Sequence, residues 1–273
     1  MKYILLFLCV LCLSCKYNVA NPVGTLKDYT AGSGKTYYVS SNSSVEEIED
    51  ALRKNKHSLG KYKIVVSSSS DTDTQILTNI ATALKNNSSF NNVEVDISKL
   101  TNISKIPKEI FKDLKNLSSI TLSDGVTEIE ENAFSGCASL ANVRFSKELT
   151  NIGDGAFSNC VSLKFASLDS EKSMTIGKNA FSGCTSLANL VLPKSIEKVD
   201  GDAFKNCSQL KNVEYLGTEN KPSGCETFKT NPKPSNLYLP AAATNTSLKT
   251  SLKDFLGGSW TIYTNHIPNY ILK

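Results

Sequence analysis

Cysteine offers this chain its main chance of metal, redox or lipid chemistry. Eight cysteines occur, against only two histidines. Cys9, Cys12 and Cys15 share a CxxCxxC spacing that elsewhere would suggest metal or cluster ligation. Cys137, Cys160, Cys184 and Cys207 recur at steps of 23, 24 and 23 residues, and Cys225 stands outside that register. If the four recurring cysteines occupy successive turns of a coil, they form a ladder spaced ~4.8 Å apart and roughly 14 Å long. Four sulfurs so placed cannot converge on one ion with Zn–S bonds near ~2.3 Å. Adjacent members approach the Cα separation of a disulfide, but parallel side chains hold their Cβ atoms too far apart. The spacing therefore predicts buried free thiols.

Acid–base chemistry finds little support. His57 and His266 fall at a helix end and in the C-terminal tail, and both read as surface residues. No GxSxG, HExxH or paired-carboxylate constellation occurs, and Glu128, Glu130 and Glu131 read as a solvated turn. The expectation is a protein with no catalytic residue, no cofactor and no metal. A hydrolase hidden in the N-terminal α/β segment stays open as an alternative, to be favoured by a polar pocket around His57. The net charge of +4 is dispersed over 273 residues, with no basic run interleaved with aromatics, so no nucleic-acid partner is expected.

The first fifteen residues carry the remaining chemistry. Lys2 precedes an apolar run at 3–13, of signal-peptide length and too short to span a bilayer. The residues from Leu11 to Cys15 resemble a loose bacterial lipobox of the kind found in spirochaetes. That resemblance implies a lipoprotein signal peptide at 1–15 and lipidation of Cys15; plain cleavage nearby is the alternative. Several acyl chains on Cys15 would anchor stably where a single chain would not. The Gly-containing polar stretch 16–35 reads as a tether.

Residues 36–100 read as strand–helix–strand–helix–strand. Thr36-Tyr37-Tyr38-Val39 is the first strand, Ser44 and Glu47 form a capping box, and Val45, Ile48 and Leu52 share a helical face. Lys63 to Val66 is the second strand. A second helix carries Ile76, Leu77, Ile80, Ala83 and Leu84, and a third strand covers 92–97. GxGxxG and GKS/T motifs are missing, which disfavours a nucleotide site. The segment reads as an N-terminal cap, or as larger turns continuous with the chain beyond residue 100.

From 101 to 240 one motif repeats, L-x-x-V-x-L followed by I/V-x-x-x-A-F-x-x-C. The Ala-Phe pairs end at Phe134, Phe157, Phe181 and Phe204, and a 24-residue step places one extra residue within 169–175. Fixed periods of this length mark solenoids. The pattern resembles the BspA-type leucine-rich repeats of bacterial surface proteins, including treponeme lipoproteins, and 176–193 fits almost throughout. The first turn departs, with Leu114 at the Cys position, and so does the last, at Phe228. The fold class expected is α/β, a leucine-rich-repeat solenoid. Parallel strands would line its concave face, with an α/β N-terminal cap and a short helical C-terminal cap at 241–273. That last cap would start near Asn245 or Thr246, end at Gly257-Gly258, and be followed by a strand at 260–263.

The outward strand columns are the candidate interaction surface. The column between V and L reads Glu94, Thr121, Arg144, Ser167, Val191, Glu214 and Tyr238. The column before V reads Asn92, Ser119, Asn142, Phe165, Asn189, Asn212 and Asn236, whose asparagines can bond to one another. The column after L includes Asp169, Pro193, Leu216 and Pro240. Phe165, Val191, Leu216 and Tyr238 put apolar groups on a face expected to be solvated. With Arg144 and Glu214 they form a candidate protein-binding patch; cover by a loop is the alternative.

The resemblance implies an exported, lipid-anchored, monomeric, non-catalytic protein at the cell surface or outer membrane. Its partner would be a host extracellular matrix protein or a bacterial surface partner, and only the N-terminal lipid would touch the membrane. A structural or scaffolding lipoprotein in the periplasm is the other reading.

Overall fold

In the computed structural model the described residues are 33–67, 74–218, 223–224, 227–228, 234–243, 252 and 255–265. Cys15, Cys225, His266 and the expected start of a C-terminal helix lie outside them. Among the described residues no helix is long and apolar enough to cross a membrane.

Two helices open the fold. Helix α1 (Val45–Leu59) starts at the expected capping box: Ser44 Oγ accepts the Glu47 N–H and Glu47 Oε2 accepts the Ser44 N–H at 2.9 Å. Gly60, at φ 75°, closes it. Helix α2 (Gln75–Asn86) buries Ile76, Leu77, Ile80, Ala81, Ala83 and Leu84. Its last turn is held by the first repeat, since Asn116 Nδ2 donates to Leu84 O at 2.8 Å. Strands β1 (Lys63–Val65) and β2 (Val93–Asp96) pair in parallel, and β2 pairs with β4 (Leu117–Thr121). The 36–100 segment is therefore continuous with the solenoid. The strand expected at 36–39 reduces to one bridge, Val39 to Val66.

Asn55 fixes that bridge in place. It is fully buried on α1, accepts the Tyr37 N–H at 2.8 Å, and donates to Tyr37 O at 2.9 Å and Lys63 O at 2.8 Å. An apolar replacement strands buried backbone groups. Asn55→Leu should therefore lower stability by about 2–3 kcal/mol. Urea unfolding checks this, with faster exchange of the Tyr37 amide as its local signature.

The remaining chain coils with three faces per turn. The first face continues β1, β2 and β4 through β6 (Asn142–Arg144), β8 (Phe165–Ser167), β10 (Asn189–Leu192), β12 (Asn212–Tyr215), β14 (Asn236–Tyr238) and β15 (Thr261–Tyr263). The second carries β3 (Lys105–Ile106), β5 (Glu128–Ile129), β7 (Asn151–Ile152), β9 (Met174–Ile176), β11 (Ile196–Val199) and β13 (Ser223–Gly224), in one six-stranded parallel sheet. The third is the Ala-Phe corner. Six phenylalanines stack there, from Phe111 to Phe228, with adjacent centroids 5.0–5.7 Å apart. Side chains from all three faces meet in one core, in which Ile106, Ile129, Ile152 and Val199 are fully buried.

Positive-φ positions let the chain turn so tightly, two in each corner from Phe111 to Phe181 and one, Asn206, in the corner at Phe204. The residue before Ala, or before its equivalent Ile110, has positive φ at Glu109, Asn132, Gly155 and Asn179. The residue before Cys, or before its equivalent Leu114, has it at Asp113, Gly136, Asn159, Gly183 and Asn206. Asn, Asp and Gly tolerate this left-handed region, which explains their recurrence there.

The C-terminal end is capped by short elements. Single 3-10 turns occupy Pro240–Ala243 and Phe255–Gly257. Trp260 closes the Phe stack edge-on against Phe228, 5.6 Å away, and its Nε1–H donates to Phe255 O at 3.0 Å. The expected strand at 260–263 is β15, paired with β14.

Candidate functional site

Register on the first face decides which side chains stand together. The inward column runs Ile64, Val95, Ile120 and Val143, and then Ala166, Leu190, Val213, Leu237 and Ile262. This corrects the N-terminal register. A bulge at Val93/Glu94 places Glu94 opposite Ser119 and Asp96 opposite Thr121, and leaves Asn92 outside the columns at φ 51°. Asp169 also leaves its column. Buried Ser123, Ser146 and Ser170 take equivalent places, each Oγ accepting the N–H two residues on at 3.1 Å. Asp169 is therefore the inserted residue of the 24-residue step.

Of the six patch residues, Val191, Glu214 and Tyr238 come together as register partners in one column, between Ser167 and Tyr263. Phe165 sits beside Asn189 in the next column. They are not solvated as expected: Val191 is 1% exposed, Glu214 4% and Tyr238 6%. Each is flanked by its equivalents in the adjoining turns, and Tyr263 stacks on Tyr238 at 4.9 Å, supplying part of the cover. Burial, then the neighbouring Tyr263 and Glu214, raises the Tyr238 phenol above its ordinary pKa. Phe165 and Leu216 are half-buried. Arg144 is exposed and stands in the other half of the face, 3.5 Å from Asp124. Tyr263, 39% exposed, belongs to the patch although the sequence suggested only a cap strand. Its signal was the 25-residue step from Tyr238.

The asparagine column behaves as expected in its C-terminal half. Asn212 Nδ2 donates to Asn189 Oδ1, and Asn236 Nδ2 to Asn212 Oδ1, both at 2.7 Å. Phe165 interrupts the series. A second polar chain crosses the other sheet. Lys105 pairs with Glu128 at 2.6 Å, Asn151 donates to Glu128 at 3.2 Å, and Thr175 Oγ1 donates to Asn151 Oδ1 at 2.8 Å. The Lys105 hydrogen bond is the main reason the Glu128 carboxyl lies below its usual range.

Cys137, Cys160, Cys184 and Cys207 are free, fully buried thiols. Each S–H donates to the carbonyl of a corner aromatic one turn back: Phe111, Phe134, Phe157 and Phe181, at 2.9, 3.2, 3.2 and 3.1 Å. The column thus stitches turns together. Burial pushes the Cys137 thiol up to about 12 from an ordinary 9.0, and raises Cys160 and Cys184 as well. At neutral pH none of these three is a thiolate, so none is a nucleophile. A folded pKa above the unfolded value stabilises fully below the unfolded value, and that contribution is lost as pH rises through the folded one. Stability should therefore fall between pH 9 and about 12. Thiol-reagent labelling at pH 8 should proceed only at the rate of unfolding; fast labelling of all four in the native state would contradict the buried ladder.

Among the described residues no group of three His, Cys, Asp or Glu side chains could hold a metal. Open grooves lined by described residues include one of about 360 Å³ beneath α2 and two polar ones of about 540 and 420 Å³ along the corners. His57 lines none of them.

A coil of parallel strands with a stacked Phe corner and a buried Leu, Ile and Val column is a leucine-rich-repeat solenoid. Residues 104–235 match the model of the BspA type Leucine rich repeat region in six copies, so this part of the chain is similar to that family. No curated protein matches the sequence.

Solved structures are similar. The pneumococcal vaccine antigen PcpA is 19% identical, with a TM-score of 0.51 over 65% of this chain and 42% of its own, which bears on the fold alone. A leucine rich cell surface protein from Faecalibacterium prausnitzii A2-165 is 30% identical, with a TM-score of 0.44 over 48% of this chain. The present chain spans about a third of that protein, 34%. The T. pallidum Leucine Rich Repeat protein is 24% identical, with a TM-score of 0.43 over 62% of this chain and 85% of its own.

Proposed function

We propose that this is an exported, lipid-anchored, non-catalytic protein that binds another protein through the first face of its solenoid. The observation that carries this reading is the register-locked face itself. Parallel pairing fixes neighbouring outward side chains in columns, and Arg144, Phe165, Leu216 and Tyr263 retain exposure on or beside it. Such an array binds an extended partner surface at little ordering cost. Aromatic and arginine side chains are the residue types that dominate protein interfaces. The repeat family favours an interaction role over catalysis.

The proposed partner is a host extracellular matrix protein or a bacterial surface protein. In this reading the mature chain is monomeric, Cys15 bears the lipid, and 16–35 tethers the repeats at the cell or outer-membrane surface. Arg144→Glu should weaken partner binding about tenfold with little change in the urea midpoint, and Tyr263→Ala should weaken it similarly while lowering the midpoint through loss of its stacking on Tyr238. Undiminished binding by both would exclude the face. Protease treatment of intact cells separates surface display from the periplasmic scaffold: a fully protected protein would favour the scaffold.

A further inference from the structure

The first face is not one sheet. Its strands form a four-stranded sheet ending at β6 and a five-stranded sheet beginning at β8. The repeat makes the missing bonds identifiable. Before the break, Leu122 N–H donates to Arg144 O at 3.0 Å and Ala141 N–H to Ser118 O at 2.9 Å. After it, Leu168 N–H donates to Val191 O and Ala188 N–H to Lys164 O, both at 3.0 Å. The bonds one repeat on from the first pair would join Phe145 N–H to Ser167 O and Lys164 N–H to Ala141 O. Neither is made among the described residues.

The same two turns remain joined elsewhere. On the second face β7 pairs with β9, and at the corner Phe157 stacks on Phe181 at 5.2 Å with the rings 7° from parallel. The break is therefore an opening on one face, with its axis along the other two.

Side-chain packing accounts for its place. The inward column carries Ile120 before the break and Leu190 after it, but only a methyl group at Ala166. Phe145 takes the position held elsewhere by Leu122, Leu168, Leu192 and Tyr215; β12, which carries Tyr215, pairs on both sides, but its inward neighbours are Leu190 and Leu237 where Phe145 has Ala166. Its ring stands edge-on to Phe157, 5.5 Å away at 72°, and does not lie along the column. Val143 is only partly buried, although Ile120, Leu190 and Val213 are at 0%. Ser167 Oγ is buried without a hydrogen-bond partner. A large ring beside a small neighbour leaves the strands unable to close to ladder spacing without burying a void or a clash.

We propose that this seam is a hinge. The block ending at β6 and the block beginning at β8 change their separation on the first face while β7–β9 and the Phe stack hold them together. Arg144 and Phe165 stand on opposite sides of it, so the hinge sets the distance between the two halves of the face.

Hydrogen exchange on the mature chain tests this without any variant. The Phe145 and Lys164 amides should exchange about 100-fold faster than their repeat equivalents at Leu122, Leu168, Ala141 and Ala188. Protection within about threefold of those equivalents would overturn the hinge. A double variant, F145L with A166V, restores the side-chain sizes of the closed turns and should bring both amides to the protection of the neighbouring repeats. Continued fast exchange in that variant, with native circular dichroism, would overturn the packing origin of the seam.

Discussion

Phe157→Ala should cost about 3–5 kcal/mol of stability, the range for removing a fully buried aromatic ring. Its ring lies 5.0 Å from Phe134 and 5.2 Å from Phe181, within 7° of parallel to both, and receives Phe145 at its side. No other ring in the corner has three such neighbours among the described residues. Each turn rests only on the turns beside it, so a void here divides the solenoid in two. Urea unfolding should show the loss together with a broadened or split transition. Phe228→Ala should cost less, because Phe228 is tilted 32° from Phe204 at 5.7 Å, near the end of the stack. A loss below about 1 kcal/mol at Phe157 would mean that the stack is not what holds the turns together.

Gly183→Ala should cost about 2–3 kcal/mol, and part of that cost should disappear when Asn159 is also replaced by glycine. Gly183 has φ 75°, where a Cβ is penalised by about 1–2 kcal/mol on backbone grounds alone. A Cβ there would also fall on Asn159 Oδ1 of the preceding turn. Gly136 stands in the same relation to Asp113, and Gly155 to Asn132. In the column before Cys the residues run Asp113, Gly136, Asn159, Gly183 and Asn206, so a residue with a side chain alternates with one that has none. The Asp113 and Asn159 side chains each fold over the bare glycine of the next turn. The double-mutant cycle in urea reads this directly: additive losses would show that the alternation has no energetic basis.

Much of this was legible because the period is rigid. Equal steps between Phe and Cys placed the corner stack, and L-x-x-V-x-L placed the inward column. The paired asparagines were found where the columns predicted them. The N-terminal register was not legible, for a physical reason. Val93, Val95 and Ile97 alternate with polar residues, so a slip of two residues keeps every side chain on its own face. Only the bulge chooses between the two registers.

Burial of Val191, Glu214 and Tyr238 was hidden because strand alternation does not encode how closely neighbours in adjoining turns, Tyr263 among them, pack against outward side chains. The left-handed positions were written in the Asn, Asp and Gly of the corners, although Asp202 stands at such a position without positive φ. At Glu109 that signal is absent, because glutamate carries no preference for this conformation. The thiol–carbonyl bonds could not be read, since spacing shows that cysteines align but not what their hydrogens meet.

The central claim is that the first face binds a protein partner. Its most direct test is affinity capture by the mature chain from solubilised host matrix and from bacterial envelope, run beside the R144E and Y263A variants. The expected result is a partner retained by the native chain and weakened about tenfold by either substitution. Equal retention by all three chains, or none by the native chain from either source, would contradict that claim.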